Sequence, residues 1–375
     1  MTSSMRRPRV VVLLGGPSAE HDVSVVSGTA IAEALADEGH QVDQVLIDLD
    51  GGWWWLADGH VREGRPAALY DDPAALGSDG PHRVGAAIDR MAAMEPAPVV
   101  FIALHGPFGE DGTVQALIEA AGLAYTGSGV AASAVGMDKT LFKRMCRGIG
   151  LPVVDWREVH ASRWATEPDD VRAELDAFAA GADEPRLMVK PARLGSSVGM
   201  TLVHDSSELG AALETAFHHD AVALVETYLA GARDLEVALI GDETTGLELF
   251  GPGEIVSGHE FYDYEAKYTE GLSETSTRAE VSDRERATMR KIARDAYRAI
   301  GATGFARVDF LLVGERIVLS EINTIPGFTP ISLFPTMPAM AGYTFGSICS
   351  KIVELGEARH TMRVRRHLGP EDLPR

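Results

Sequence analysis

The chain has 375 residues, 45% hydrophobic and 24% charged, an ordinary globular composition with length for two or three packed domains. Its 34 Lys and Arg stand against 55 Asp and Glu, a formal net charge of −21, which argues against a nucleic-acid or anionic-membrane surface, since either needs a basic patch. Cys146 and Cys349 are far apart and offer neither a metal spacing nor a disulfide framework, as in a reducing cytosol. No apolar run reaches the ~18 residues of a membrane helix, and the strand after the N-terminal MTSSMRRPR is too short for a signal segment.

Arg9–Leu14 reads as a buried parallel strand. It runs into Gly15-Gly16-Pro17-Ser18-Ala19-Glu20-His21-Asp22, and a helical pattern follows over Val23–Leu35. Strand, tight glycine turn and helix open a doubly wound α/β domain, in which ligands sit beyond the strand ends. The turn is not the G-x-G-x-x-G dinucleotide fingerprint, and on residue type alone its Ser and acids serve equally as helix caps. Val42–Leu56 reads as a second strand with a hairpin-like insertion. Its Trp53-Trp54-Trp55 run suggests either packing or a stacking platform. Residues 66–81 read as a polar loop. Val99–Leu104 is the next buried strand, ending at His105-Gly106-Pro107-Phe108-Gly109-Glu110-Asp111-Gly112, with a helix through Ala121. His105 falls where ligand contacts gather, and Glu110 and Asp111 are expected to hold the loop.

Met137-Asp138-Lys139 leads into a helix that also carries Lys143 and Arg144. Leu187–Val189 is a strand entering Lys190-Pro191-Ala192-Arg193-Leu194-Gly195-Ser196-Ser197-Val198-Gly199. That is no Walker loop, yet its glycines and serines free backbone N–H groups and hydroxyls for phosphates, with Lys190 as point charge. Val222–Glu226 is apolar and ends in Glu226-Thr227-Tyr228-Leu229; Asp234 and Glu236 follow. Residues 261–268 form a segment dense in aromatics, with Lys267 and Tyr268, and Asp283–Ile300 has the spacing of an amphipathic helix.

Two apolar runs, Val308–Val313 and Ile317–Leu319, flank Gly314-Glu315-Arg316 and read as a β-hairpin. Arg307 and Asp309 are two apart on one strand, Glu321 and Asn323 two apart at the end of the other, so each pair shares a face. Carboxylate and amide oxygens are hard ligands of the kind Mg²⁺ prefers; an arginine beside them suits a phosphoryl group gaining charge. The plainer reading is a pair of surface salt bridges. Pro326-Gly327-Phe328-Thr329-Pro330-Ile331-Ser332-Leu333 follows, and from Arg359 the charged end reads as frayed.

R-V-D-F and E-I-N-T-I-P-G-F-T-P resemble the metal-binding end of an ATP-grasp ligase, and more narrowly of the D-alanine–D-alanine ligases. GG-x-S-x-E-H-x-V-S, H-G-x-x-G-E-D-G-x-x-Q, S-A-x-x-M-D-K and K-P-x-x-x-G-S-S-x-G are similar to that family's other motifs, in order, from Val10 to about Leu355. The resemblance implies a three-domain ATP-grasp fold. An N-terminal doubly wound α/β domain (1–127) would carry the first substrate. ATP would lie between two α+β domains, a central one with the phosphate loop (128–226) and a C-terminal one with the metal site (227–375).

The implied activity is ATP-dependent formation of D-alanyl-D-alanine through a D-alanyl phosphate, for peptidoglycan precursors, in a cytoplasmic enzyme. By the same resemblance, Glu20 orients the first D-alanine's ammonium and His105 helps form its pocket. Lys139, Lys190, Ser196, Ser197 and Lys267 face ATP phosphates, Glu226 through Leu229 read the adenine, and Asp234 stands where a ribose-binding glutamate is usual, with Glu236 its rival. Tyr268 closes over Ser196 and Glu20. Glu20, Ser196, Tyr268 and Arg307 form the catalytic set, Asp309, Glu321 and Asn323 hold two Mg²⁺ (or Mn²⁺), and Gly327, Ser332 and Leu333 hold the second substrate's carboxylate. The partners implied are small molecules and a second copy of the chain, through the first domain. Arg278 stands where proline is common. Rival readings are a ligase for another second substrate, such as D-serine, and a non-catalytic nucleotide-binding module.

Overall fold

The computed structural model describes residues 7–57, 66–257 and 273–365. The first sheet is built from β1 (Val10–Gly15), β2 (Val42–Ile47), β3 (Trp53–Trp55), β4 (Asp79–His82), β5 (Val99–Ile102) and β6 (Ala124–Tyr125), in the order β4-β3-β2-β1-β5-β6. β1 pairs in parallel with β2 and β5, and β5 with β6. β1 is buried along its length, as a central parallel strand covered on both faces must be. The chain goes out from β1 to β2 and returns on the other side of β1 as β5, so a crevice opens beyond the carboxyl ends of β1 and β5.

β3 and β4 extend this sheet in antiparallel fashion. All three tryptophans are buried, and Trp54 Nε1 donates to Asp48 at 2.7 Å, so the run packs rather than offering a stacking platform. The segment read as a loop from residue 66 to 81 instead holds a 3₁₀ turn, Ala67–Tyr70, and part of β4. An exposed edge strand that keeps one ladder tolerates proline and needs no apolar alternation, so Asp79-Gly80-Pro81-His82 gave no strand signal.

The second sheet, β7-β10-β8-β9, is antiparallel throughout: β7 (Trp156–His160), β8 (Leu187–Pro191), β9 (Thr201–Val203) and β10 (Val222–Thr227). The third has the order β13-β12-β11-β14-β15: β11 (Arg233–Asp242), β12 (Gly246–Ser257), β13 (Ser273–Ser276), β14 (Phe305–Val313) and β15 (Arg316–Asn323). The helix Lys139–Gly148 ties these two sheets together. Its Phe142 and Cys146 share an apolar cluster with Trp156 and Leu224 of the second sheet and Val237, Phe310 and Leu319 of the third. The amphipathic helix falls where its spacing predicts, Asp283–Ala299, and starts at a Ser282/Glu285 capping box.

Another cluster joins β1 and β5 to Ala238, Ile240 and Phe305 of the third sheet, to Phe328 and Phe334, and to the C-terminal helix Phe345–Arg365. That helix runs through residues expected to fray. The Arg359 guanidinium lies 3.9 Å from the Tyr125 ring centroid and donates to the Tyr125 carbonyl at 3.2 Å; Arg363 pairs with Glu119 at 2.7 Å. Cation–π and ionic anchoring leave no apolar periodicity to read.

Phe328 is the centre of this shared core, with ring centroids 6.1 Å from Phe101, 5.9 Å from Phe305, 5.3 Å from Phe334 and 5.5 Å from Phe345. Phe328→Ala is expected to destabilise the protein by about 3–5 kcal/mol and Phe328→Leu by much less. Urea unfolding checks this, and an alanine variant as stable as the parent would contradict a shared core.

Candidate active site

The crevice between β1 and β5 is closed by two glycine turns and stitched by serines. Gly15 has φ +81°, and a Cβ there would come within 2.4 Å of the Ile47 carbonyl oxygen. Ser18 Oγ donates to the His105 carbonyl at 3.0 Å. Ser24 Oγ donates to the Glu20 carbonyl at 2.9 Å and accepts from His105 N–H at 2.8 Å. His105 itself is buried, and burial lowers its pKa. Its Nδ1 faces the Ile325 carbonyl at 3.0 Å and must donate; its Nε2 then accepts from Ser27 Oγ at 3.0 Å.

Glu20 is buried at the mouth of this crevice. Its Oε1 accepts from Ser196 Oγ, reaching over from the phosphate loop. Its Oε2 is buried without a hydrogen-bond partner among the described residues. Glycines let the backbone close around this carboxylate: a Cβ on Gly106 would lie 2.4 Å, and one on Gly195 2.9 Å, from Glu20 Oε2. Ser196 and Ser197 adopt φ of +51° and +57°, a strained conformation for serine that tertiary contacts must hold. An orphaned buried carboxylate oxygen is costly, and an ammonium is the group that would satisfy it.

The glycine- and serine-rich loop between β8 and β9 forms one wall of a cleft of about 210 Å³ between the second and third sheets. Lys139, Lys190, Ser196, Ser197, Glu226, Thr227, Tyr228, Leu229, Asp234, Arg307, Asp309 and Glu321 all line it. Lys139 Nζ pairs with Glu321 Oε2 at 3.0 Å and donates to the Leu194 carbonyl at 2.9 Å. Burial opposes its charge, and the Glu321 carboxylate more than offsets this, raising its pKa. Lys190 pairs with Glu226 at 2.6 Å. A larger cavity, about 550 Å³, opens beside Tyr297 and Arg359. Its charged side chains are engaged in pairs such as Arg298–Glu243 and Arg363–Glu119.

The hairpin forms as its pattern predicts. In β14 and β15, Arg307 stands opposite Asn323 and Asp309 opposite Glu321, and a bulge at Ser320 shifts the register beyond them. Arg307 grips Asp309 with two bonds of 2.7 Å and lies 3.2 Å from Glu236 on β11. Burial works against the guanidinium's charge, but these carboxylates raise its pKa well above the usual value. Asn323 Nδ2 donates to Asp309 at 2.9 Å. Two carboxylates and an amide thus meet on one face, Asp309 paired with Arg307, Glu321 with Lys139, and Asn323 bonded to Asp309. Glu236 stands opposite Asp309 and Asp234 opposite Leu311, two residues apart on one strand, and both line the cleft, with Glu236 also 3.2 Å from Arg307.

Beyond Asn323, Gly327 and Ser332 lie side by side in one loop, a Cβ on Gly327 being 3.5 Å from Ser332 Oγ. Ser332 is bonded to Thr329 and precedes the helical turn Leu333–Thr336, while the Leu333 side chain is buried in the shared core. Lys267 and Tyr268 lie outside the described residues.

Two family models match the chain. The N-terminal model of D-ala D-ala ligases matches residues 9–128 and the C-terminal model residues 145–354. The chain belongs to the D-alanine–D-alanine ligase family. It is 38% identical to the D-alanine–D-alanine ligase of Kineococcus radiotolerans, across 96% of this chain and 99% of that one. Its identity to the Chlorobaculum tepidum ligase is 36%, across 94% and 97%. Among solved structures it is similar to the D-alanine-D-alanine ligase of Coxiella burnetii, with a TM-score of 0.75 and 29% identity over 96% of this chain and 97% of that one. It is also similar to the VanG D-Ala:D-Ser ligase of Enterococcus faecalis, with a TM-score of 0.78 and 28% identity over 93% and 99%. The family's ATP-grasp fold is the one described above.

Two side chains carry more than sequence reading gave them. Lys143 is fully buried against Glu226; its place one turn after Lys139 was the available signal. Glu110 does hold its loop, accepting from Gly106 N–H at 3.0 Å, and it also accepts from Ile325 N–H at 3.2 Å, a contact between distant segments that no local pattern shows.

Burial, aided by the Glu20 charge, pushes the Glu110 carboxyl from 4.5 up to about 8. The folded chain therefore keeps a proton that the unfolded chain releases, so this contribution is intact below about pH 4.5 and is lost as pH rises to about 8. Glu110→Gln is expected to flatten the fall in thermal midpoint across that window; a slope equal to the parent's would count against it.

Proposed function

We propose that this chain joins two D-alanine molecules into D-alanyl-D-alanine, a peptidoglycan precursor, while ATP is converted to ADP and phosphate. The observation that carries the reading is Glu20, a buried carboxylate with one oxygen on the phosphate-loop Ser196 and the other unpartnered among the described residues. It provides a receptor for one ammonium beside a phosphate-binding loop, which is what a carboxylate awaiting phosphorylation requires of its other end.

Peptide formation in water is uphill, so the acid must be activated. The first D-alanine's carboxylate oxygen attacks the γ-phosphorus, ADP leaves, and an acyl phosphate forms. The free amine of the second D-alanine then attacks the carbonyl carbon. The tetrahedral intermediate loses inorganic phosphate and the amine its extra proton. Glu20 fixes the first ammonium, His105 supports its pocket, and Lys139, Lys190, Ser196, Ser197 and Lys267 hold phosphates. Glu226 through Leu229 and Asp234 take the adenosine. Arg307, permanently charged between Asp309 and Glu236, stabilises charge on the transferring phosphoryl and on the intermediate. Gly327, Ser332 and Leu333 hold the second carboxylate, and the family resemblance assigns Tyr268 a role beside Glu20 and Ser196.

The donor set fits a metal: Asp309, Glu321 and Asn323 present hard oxygens whose charge Arg307 and Lys139 now balance. Bound there, two Mg²⁺ (or Mn²⁺) would neutralise the β- and γ-phosphate oxygens. Water must be kept from the acyl phosphate, and a loop able to cover the cleft serves that need. We further propose the domain division 1–127, 128–226 and 227–375, a homodimer through the first domain, and a cytoplasmic location. Among the described residues no helix is long and apolar enough to cross a membrane.

Phosphate release from ATP with D-alanine, with mass detection of the product, tests this reading. D-alanyl-D-alanine is expected from the parent, and Arg307→Ala is expected to lower kcat about a thousandfold. Turnover only with D-serine as acceptor would move the second substrate. Nucleotide binding without turnover of any D-amino acid would favour the binding module.

A further inference from the structure

The helix Lys139–Gly148 sends two lysines, one turn apart, in the same direction. Lys139 reaches the cleft and Glu321. Lys143 does not line the cleft: it is fully buried, its Nζ 2.5 Å from Glu226 Oε1 and 6.0 Å from the Trp156 ring centroid. Lys190 does line the cleft, and its Nζ is 2.6 Å from the other oxygen, Glu226 Oε2. One buried carboxylate therefore holds two ammonium groups, one sealed behind it and one facing the ligand space. A single cation would neutralise it.

We propose that Lys143 is a positioning residue that keeps Glu226 ionised when Lys190 turns to the nucleotide's phosphates, and thereby sets the preference for adenine over hypoxanthine. The proposal rests on the reading of the cleft as an adenine-nucleotide site. With Lys190 on a phosphate, Glu226 Oε2 is free to accept from the exocyclic amine of adenine. Hypoxanthine presents a carbonyl oxygen at that position, which an ionised carboxylate repels. Lys143 makes this state tolerable, because an unpaired carboxylate at this depth would otherwise take up a proton. A protonated Glu226 could donate to the hypoxanthine carbonyl, and discrimination would narrow.

Burial pushes the Glu226 carboxyl up, and the charges of Lys143 and Lys190 more than offset this, holding it below the usual carboxylate range. Other charged groups near the pair are committed elsewhere. Burial lowers the Lys143 pKa and the Glu226 charge opposes this; Glu321 on β15 also acts on Lys143 and pairs with Lys139. On β7, Glu158 is bonded to Arg144 and Trp156.

The test is calorimetric titration of the intact protein with ADP and with inosine diphosphate, in two buffers of different ionisation heat. The parent is expected to prefer ADP and to bind it without proton uptake. Lys143→Met, close in volume and uncharged, is expected to cut that preference about tenfold or more and to take up about one proton on binding. Lys190→Met is expected to weaken both nucleotides while keeping the parent's preference and its lack of proton uptake. A Lys143→Met protein that binds both nucleotides more weakly but at the parent's ratio, with no proton uptake, would reduce Lys143 to a packing role and overturn the proposal. So would a Lys190→Met protein that loses the preference, a result that decides the matter even if Lys143→Met does not fold. A parent that binds neither nucleotide would overturn the nucleotide site itself, whereas the variant outcomes bear on Lys143 alone.

Discussion

The constraint behind the rest of this structure is the burial of cations against acids where the sheets meet. Arg307, Lys139, Lys143 and Lys190 are all withdrawn from open solvent and engage Asp309, Glu236, Glu321 and Glu226. In a chain of net charge −21, a polyanion is attracted only where such cations are concentrated. Buried ion pairs contribute little net stability, because desolvation consumes most of the Coulomb gain. The apolar cluster around Phe142, Val237 and Phe310 has to supply the rigidity. In exchange the cations are prepaired and aimed, so the triphosphate proposed to bind here would replace carboxylate partners instead of ordering loose side chains.

The same economy of position holds at the first-substrate corner. Glu20 is approached from one side by the turn after β5 and from the other by the phosphate loop, each through a glycine whose missing side chain makes room. Ser18 and Ser24 tie the turn after β5 to the segment that carries Glu20, Ser196 reaches Glu20 from the other side, and His105 and Glu110 hold the Ile325 carbonyl and N–H. Ile325 follows β15 and precedes the Gly327–Ser332 loop. Three stretches distant in the chain are thus fixed to one another by short polar contacts, so the groups proposed for the two amino acids and for the phosphates share one frame.

Much of this was legible in the sequence where local chemistry and tertiary role coincide. Arg307, Asp309, Glu321 and Asn323 share a face because a hairpin's period is two, and the strands pair in that register. The Gly15–Glu20 turn announces a parallel strand ending at a crevice. What escaped was set by partners distant in the chain. β4 is a strand only because β3 offers an edge. Arg359 extends the last helix because Tyr125 lies beneath it. Lys143 looks like any helix lysine until Glu226 is brought to it.

The central claim is that this arrangement activates a carboxylate by phosphorylating it before an amine attacks. Heavy-oxygen-labelled D-alanine, labelled in its carboxylate, tests that claim most directly. If an acyl phosphate forms, breaking its carbonyl carbon–oxygen bond leaves a substrate oxygen on phosphorus, and mass spectrometry of the inorganic phosphate will find one label per turnover. Dipeptide formed with unlabelled phosphate would contradict the account, because ATP would then have been cleaved by water and the carboxylate activated by another route.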